Sequence, residues 1–236
     1  MDTSLLTSAD KKRIAQAVSL FKKERPDIEH VAKLVHVQLG EYPKLKPLMH
    51  SVRWRVKEVS HLKHKLIRKT LELPKPGKPP EEPITADNLL DRIEDLAGVR
   101  ILHLHTSQFK SINKILLDAL KMQNWLVTGP EANTWDDEYR DFFKKMGVKT
   151  ISRESLYTSV HYILKTNAAS PYKCELQVRT LAEEIWGEVS HTIDYPVPTE
   201  SVACKEQLKV LARLSSSYIR LVDSIFESEK EFKARK

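Results

Sequence analysis

Apolar residues recur with helical spacing toward both ends of the chain and with the shorter spacing of strands between them. Ser8 and Asp10 offer an N-cap ahead of Ile14, Val18, Leu20 and Phe21, so a helix is expected near the start. Pro26 should close it, with a second, shorter helix from about Ile28 to Leu39 before Gly40 and Pro43 interrupt. From about Lys46 to Leu71 the spacing predicts one longer helix. Val52, Val59, Leu62 and Leu66 cluster on its wheel, whereas Lys57, His61, His64, Lys65 and Arg68 occupy another arc. One side packs and the other presents a basic stripe.

Pro74 to Pro83 reads as a loop inserted between elements. A helix from Asp87 to Glu94 should lead into a strand, Val99 to Leu104, which is apolar on both faces as a covered inner strand would be. Ser107 to Met122 returns to helical spacing. From Gly129 to Glu154 there is little periodicity beyond a helix around Asp137 to Lys145, and this region is expected to be a long, partly mobile segment. Two strands follow, Thr158 to Leu164 and Tyr172 to Val178, joined by a turn at Thr166 to Pro171. Leu208, Leu211, Leu214, Ile219, Val222, Ile225 and Phe226 then form the stripe of a C-terminal helix. Strands alternating with helices predict an α+β chain, a mixed central sheet of about five strands flanked by helices. The expected organisation is a helical N-terminal extension over 1–45, a central domain over 46–196 and a C-terminal helix over 197–236.

The two strands near residue 170 change the picture from fold to chemistry. With the period of a strand, Cys174, Leu176 and Val178 share one face, while Glu175, Gln177 and Arg179 share the other. On the preceding strand Ser159 and His161 share a face, with Tyr157 at the strand entrance pointing the same way. A one-sided wet strand would show the same alternation.

The 236 residues carry 39 Lys+Arg against 32 Asp+Glu, a net charge of +7, which suits an anionic ligand such as nucleotide phosphate or nucleic acid. Two cysteines, Cys174 and Cys204, are too few for a disulfide scaffold or zinc cluster. No apolar run is long enough to span a bilayer and no secretory signal is evident, so no membrane partner and a cytoplasmic location are expected.

Asp95, beside a glycine at a strand entrance, reads as a turn residue or a metal ligand; with Glu175 on a neighbouring strand it would make a carboxylate pair suited to one Mg²⁺. Lys57, Lys65 and Arg68, with Arg55 on a neighbouring arc, could hold a polyphosphate or form a solvated helix face. His61 and His64 lack a third ligand at zinc spacing. Tyr157 could stack on a base or close a strand end. Glu184, Glu188 and His191 can share one helix face, as a structural ion-pair cluster would.

These blocks, in this order, resemble the synthetase domain of the RelA/SpoT alarmone synthetases, particularly the small single-domain ones, over roughly residues 50 to 196. Arg55-Val56-Lys57 with Lys65 and Arg68 is similar to the family's donor-nucleotide helix. Asp95-Leu96-Ala97-Gly98-Val99-Arg100 is similar to its acidic metal motif, Tyr157, Ser159 and His161 to its acceptor loop, and Glu175 to Thr180 to the block with the catalytic glutamate. Trp186-Gly187-Glu188 through His191 and Tyr195 is similar to the helix that follows. The resemblance implies a nucleotidyltransferase-like synthetase fold and a pyrophosphokinase that moves the β,γ-diphosphate of ATP to the 3′-hydroxyl of GDP or GTP. It implies Mg²⁺ on Asp95 and Glu175, Glu175 as catalytic base, ATP on Arg55, Lys57, Lys65, Arg68 and Arg100, and the acceptor nucleotide on Tyr157, Ser159, His161, Gln177 and Arg179. Homo-oligomeric assembly is also left open by the resemblance. The family's acceptor loop usually reads Gly-Tyr-basic-Ser, and this chain has Leu156-Tyr157-Thr158-Ser159. That departure keeps two alternatives: a toxin-type relative acting on tRNA 3′ ends or adenosine nucleotides, and a non-catalytic domain that binds a nucleotide or partner.

Overall fold

The computed structural model describes residues 3–73, 81–153, 155–194 and 197–236. Most of the Pro74–Pro83 loop and Tyr195 lie outside the described residues. Among the described residues, six strands form one mixed sheet: β1 (Ser51–Val56), β2 (Ala97–His103), β3 (Leu126–Thr134), β4 (Lys149–Ser152), β5 (Ser159–Lys165) and β6 (Cys174–Thr180). Their order across the sheet is β1-β2-β6-β5-β3-β4. β2 runs parallel to β6 and β3 to β4, while the β1–β2, β5–β6 and β3–β5 pairs are antiparallel.

The helices are α1 (Ser8–Gly40), α2 (Val59–Leu71), the single turn α3 (Leu89–Arg92), α4 (Phe109–Met122), α5 (Asp137–Lys145), α6 (Leu181–Asp194) and α7 (Val202–Ala234). α1 begins with a capping box in which Thr7 and Asp10 satisfy each other's backbone amides. It does not stop at Pro26. That proline lacks the amide for a helical bond, a cost of ~3 kcal/mol or more in a helix interior, yet the helix continues past it. Phe21, Ile28, Val31, Ala32, Val35 and Leu39 are all buried on one side. Burying each large apolar side chain gains roughly 1.5–3 kcal/mol, so the shared stripe outweighs the break.

The predicted helix from Lys46 to Leu71 is corrected to a strand followed by a helix. Val52, Trp54 and Val56 alternate with Arg53 and Arg55, and β1 takes its backbone bonds from β2. Lys57 lies on the β1–α2 connection, donating its backbone amide to Leu96 O at 2.9 Å. Only its neighbours from Val59 onward form the helix. The region from Gly129 to Glu154, expected to be irregular, contributes β3 and β4 on either side of α5. A register shift between Thr128 and Glu131, around Gly129 and Pro130, breaks the alternation that would have announced β3.

One face of the sheet carries Val99, Ile101, Tyr162, Leu164, Leu176 and Val178, which belong to one buried core with α1 residues and with Ile112 and Leu116 of α4. α6 lies by β2 and β6, and α7 packs along α6.

Candidate active site

The strand register assembles a polar face from residues far apart in sequence. Arg53, Arg100, Gln177 and His161 occupy one row across β1, β2, β6 and β5, and Arg55, Gly98 and Glu175 occupy the next. Partners directly across neighbouring strands project to the same side, so these residues share one face, opposite the apolar core. A β-carbon at Gly98 would meet the side chain of Arg55 at 3.5 Å, an ordinary van der Waals contact, so Arg55 lies directly over this position.

Glu175 is the centre of a bonded chain. Its Oε1 lies 3.2 Å from His161 Nδ1, and its Oε2 accepts from Gln177 Nε2 at 2.7 Å. His161 Nε2 is 3.0 Å from the hydroxyl of Tyr157. Burial raises the Tyr157 pKa and keeps the phenol protonated. The consistent pattern has Tyr157 donating to Nε2 while the Nδ1 proton faces the carboxylate. Burial pushes the Glu175 pKa up, but the His161 and Gln177 bonds outweigh it and hold the carboxyl below its ordinary value. Ser159 is buried at the start of the same strand, and the guanidinium of Arg179 lies 5.9 Å from the centre of the Tyr157 ring.

Asp95 stands just before β2, with Lys57 Nζ at 2.5 Å from one oxygen and Lys65 Nζ at 2.8 Å from the other. Burial opposes ionisation, but the two ammonium charges hold the carboxyl down at about 2. Lys57 is itself buried, and desolvation lowers its pKa despite Asp95. Asp95 and Glu175 feel each other: the Asp95 charge pushes the Glu175 pKa upward. Two mutually repelling carboxylates and the buried Oε1 of Gln177, which has no hydrogen-bond partner, are hard oxygen donors of the kind Mg²⁺ takes. Each Asp95 oxygen also keeps a further lone pair beyond its lysine bond. The chemistry of these donors suits a divalent cation, although among the described residues no cluster of three or more His, Cys, Asp and Glu side chains is gathered as a metal site.

Arg68 is not brought into this group; its ion pair is with Glu72, one turn along α2. Arg100 is, but it is already engaged: its Nη1 donates to Glu184 at 3.1 Å and to Glu188 at 2.6 Å. Glu184 is buried and also pairs with Arg179 and, at 3.7 Å, with Arg53. One carboxylate on α6 thus ties together three arginines of the sheet. Sequence reasoning missed Arg53 because it placed that residue on a helix; the alternation Val52-Arg53-Trp54-Arg55-Val56 is the signal that would have found it. Gly187 was legible only as part of a motif. A β-carbon there would lie 2.7 Å from Arg179 Nη1, so the glycine makes room for the buried guanidinium.

A family model described as a region found in RelA / SpoT proteins matches residues 54–200. The chain belongs to the RelA/SpoT family. GTP pyrophosphokinase YwaC of Bacillus subtilis is 26% identical over 159 residues, covering 63% of this chain. That match spans 59% of YwaC, less than two thirds of the relative's length. The fold is shared with small alarmone synthetase 1 of Bacillus subtilis bound to its product pppGpp, at a TM-score of 0.64 and 18% identity, covering 89% of this chain and 98% of that one. A GTP pyrophosphokinase family protein from Streptococcus pneumoniae gives 0.56 at 18% identity, covering 98% and 99%.

The segment Leu156-Tyr157-Thr158-Ser159, similar to the family's acceptor loop, departs from that pattern at Leu156 and Thr158. Leu156, where the family pattern has glycine, adopts φ 57°, the left-handed region that favours glycine. Thr158, where the pattern has a basic residue, is buried, with its hydroxyl 3.1 Å from that of Thr134. It lines a narrow gap toward Tyr139, Glu183 and Ile219.

Proposed function

We propose that this chain is an alarmone synthetase that transfers the β,γ-diphosphate of ATP to the 3′-hydroxyl of GDP or GTP. The observation that carries this reading is the Tyr157–His161–Glu175 chain on the polar side of the sheet, with Asp95 and its two lysines at the entrance of the neighbouring strand β2, near enough for the Asp95 charge to act on Glu175. Asp95 and Glu175 would hold Mg²⁺, which when bound neutralises negative charge on the transferred diphosphate. Arg55 adds a cation beside Glu175, and Lys57 and Lys65 supply positive charge at the Asp95 end, where the donor phosphates would lie.

Glu175 receives the proton of the attacking hydroxyl. With its carboxyl below the ordinary range it is ionised at neutral pH, so it orients the hydroxyl by accepting its hydrogen bond before transfer. Phosphoryl-type transfer asks the protein mainly for position and charge, and both are supplied by groups already bonded to neighbours. His161 locks the Glu175 carboxylate from one side and Gln177 from the other. Tyr157, anchored through its hydroxyl, offers its ring as a stacking surface for the acceptor base, with Arg179 alongside. Arg100, held by Glu184 and Glu188, is the stacking candidate for adenine.

Thr158 favours a second reading in which the acceptor differs. Its side chain turns into the protein and brings no charge to the acceptor side, so an adenosine nucleotide or the 3′ end of tRNA is kept as an alternative acceptor. Among the described residues no helix is long and apolar enough to cross a membrane.

The test supplies Mg²⁺ and ATP labelled in the β-phosphate, with GDP, GTP, adenosine nucleotides and tRNA in parallel. Label should move to a guanosine nucleotide and not move with Glu175→Gln. Label on tRNA or an adenosine nucleotide instead would establish the second reading, and no transfer to any acceptor would overturn both.

A further inference from the structure

The α2–α6 junction brings together two histidines that the proposed chemistry does not use. The rings of His61, near the start of α2, and His191, near the end of α6, meet edge to face with centroids 5.3 Å apart. Their surroundings are mostly cationic. On His191 the strongest charge effect is that of His61, followed by Arg55 and Arg100; on His61 it is that of Lys57, followed by Arg55 and His64. Glu58 acts on His61 and Glu188 on His191 in the opposite sense. Glu188 is committed to Arg100 at 2.6 Å, and Glu58 to Arg25 at 3.4 Å. Arg55 and Lys57 also belong to the group assigned above to the donor phosphates. The paired rings therefore extend that group, with Arg55 acting on both of them.

We propose that His61 and His191, together with Arg55, form a polyphosphate subsite that takes up a proton when it is filled. It rests on the donor-site reading above and identifies a binding element beyond the carboxylates and lysines. In the free protein partial burial and the surrounding cations disfavour protonation, and both imidazole pKa values lie below the ordinary value. A polyanion reverses the largest electrostatic contribution: its negative charge favours the imidazolium forms, and each imidazolium has an additional N–H to donate to a phosphate oxygen. The sign follows from linkage. A group whose pKa rises on binding takes up protons, so affinity increases as pH falls from above the bound value to below the free one.

Inorganic tripolyphosphate is the probe, because its binding does not depend on acceptor or turnover. Calorimetric titration of the full chain at pH 8 and pH 6 should show affinity rising about tenfold more than in His61→Gln or His191→Asn, since one pKa unit is a factor of ten per proton linked. Titration of the phosphate itself is common to all proteins and cancels in the comparison. Repeating the pH 6 titration in buffers of different ionisation heat should give net proton uptake by the native chain and less by either variant. His30→Gln, on α1 and outside the pair, should keep the native slope, and thermal melts establish that each variant is folded. Equal slopes in the native chain and both folded variants would overturn the subsite. Loss of diphosphate transfer with the pH-linked binding retained would count against the proposed reaction and not against this subsite.

Discussion

Lys57 places its ammonium nitrogen 2.5 Å from Asp95 Oδ2 while Lys65 closes on the other oxygen at 2.8 Å. Removing the first contact leaves Asp95 with a single cation. Lys57→Met should therefore raise the Asp95 pKa from its value near 2 and cost about 1–3 kcal/mol, less than breaking an isolated buried pair because Lys65 remains. Transfer should fall by about 100-fold or more if the ammonium also serves the phosphates. The acid response has a defined sign. Asp95 titrates near 3.9 unfolded and about 2 folded, so its contribution is present above pH 4 and is lost as pH falls toward 2. Chemical denaturation at pH 7 and pH 3 should show the native chain losing more stability across that interval than Lys57→Met. Equal losses would mean the pair does not hold Asp95 ionised.

Glu175→Gln preserves size and one acceptor oxygen but removes the charge that faces His161. Transfer should drop by about 1,000-fold or more, with the melting temperature changed little, because the amide can still meet Gln177 and His161. Single-turnover assays beside thermal melts check both halves. Near-native turnover in a folded variant would remove Glu175 from the mechanism.

Much of the site was legible because strand alternation is a local signal. Glu175, Gln177 and Arg179 share a face by spacing alone, and the register then brings His161 and Arg100 beside Gln177. The N-terminal side misled for opposite reasons. Val52 and Val59 fit a helical wheel with Leu62 and Leu66, so the strand at Arg53 and Arg55 was hidden by an accidental continuation of the stripe. At Pro26 a strong local breaker lost to burial of Phe21 and Ile28 on the same surface, which no local rule can weigh. The Glu184 hub was invisible for a third reason: its partners Arg53, Arg100 and Arg179 come from separate strands. The C-terminal stripe was read correctly as helical, but Leu214 and Ile225 remain exposed on α7 while Ile219 is buried, so the periodicity identified the helix without telling which part packs.

Leu156 holds a left-handed backbone at φ 57°, a conformation that costs a non-glycine residue roughly 1–2 kcal/mol. Leu156→Gly relieves that cost but loses apolar contact and gains unfolded-state freedom, so stability should change by less than about 1 kcal/mol. Leu156→Val should destabilise more than Leu156→Gly, because β-branching is least tolerated there. Denaturant midpoints in the reverse order would mean that side-chain packing, rather than backbone conformation, decides this position.

Glu183, in the first turn of α6, is buried and accepts the backbone amide of Thr180 at 2.7 Å, with Tyr139, Ser216 and Ile219 lining the same gap. Burial, helped by the charge of Asp136, raises its pKa to about 7, although the Thr180 bonds and Arg179 pull the other way. The folded protein therefore holds this proton more tightly than the unfolded chain, whose glutamate titrates near 4.3. Protonation contributes stability in full below that unfolded value, and the contribution is lost as pH rises through about 7. Glu183→Gln carries no charge to bury and keeps an oxygen for the Thr180 amide. It should match the native chain near pH 4 and exceed it at pH 8 by roughly 2–4 kcal/mol, the free energy of the displaced titration. Denaturation curves at the two pH values measure the difference directly. A gap that stays constant between them would mean Glu183 is ionised in the folded state, with Arg179 compensating its charge.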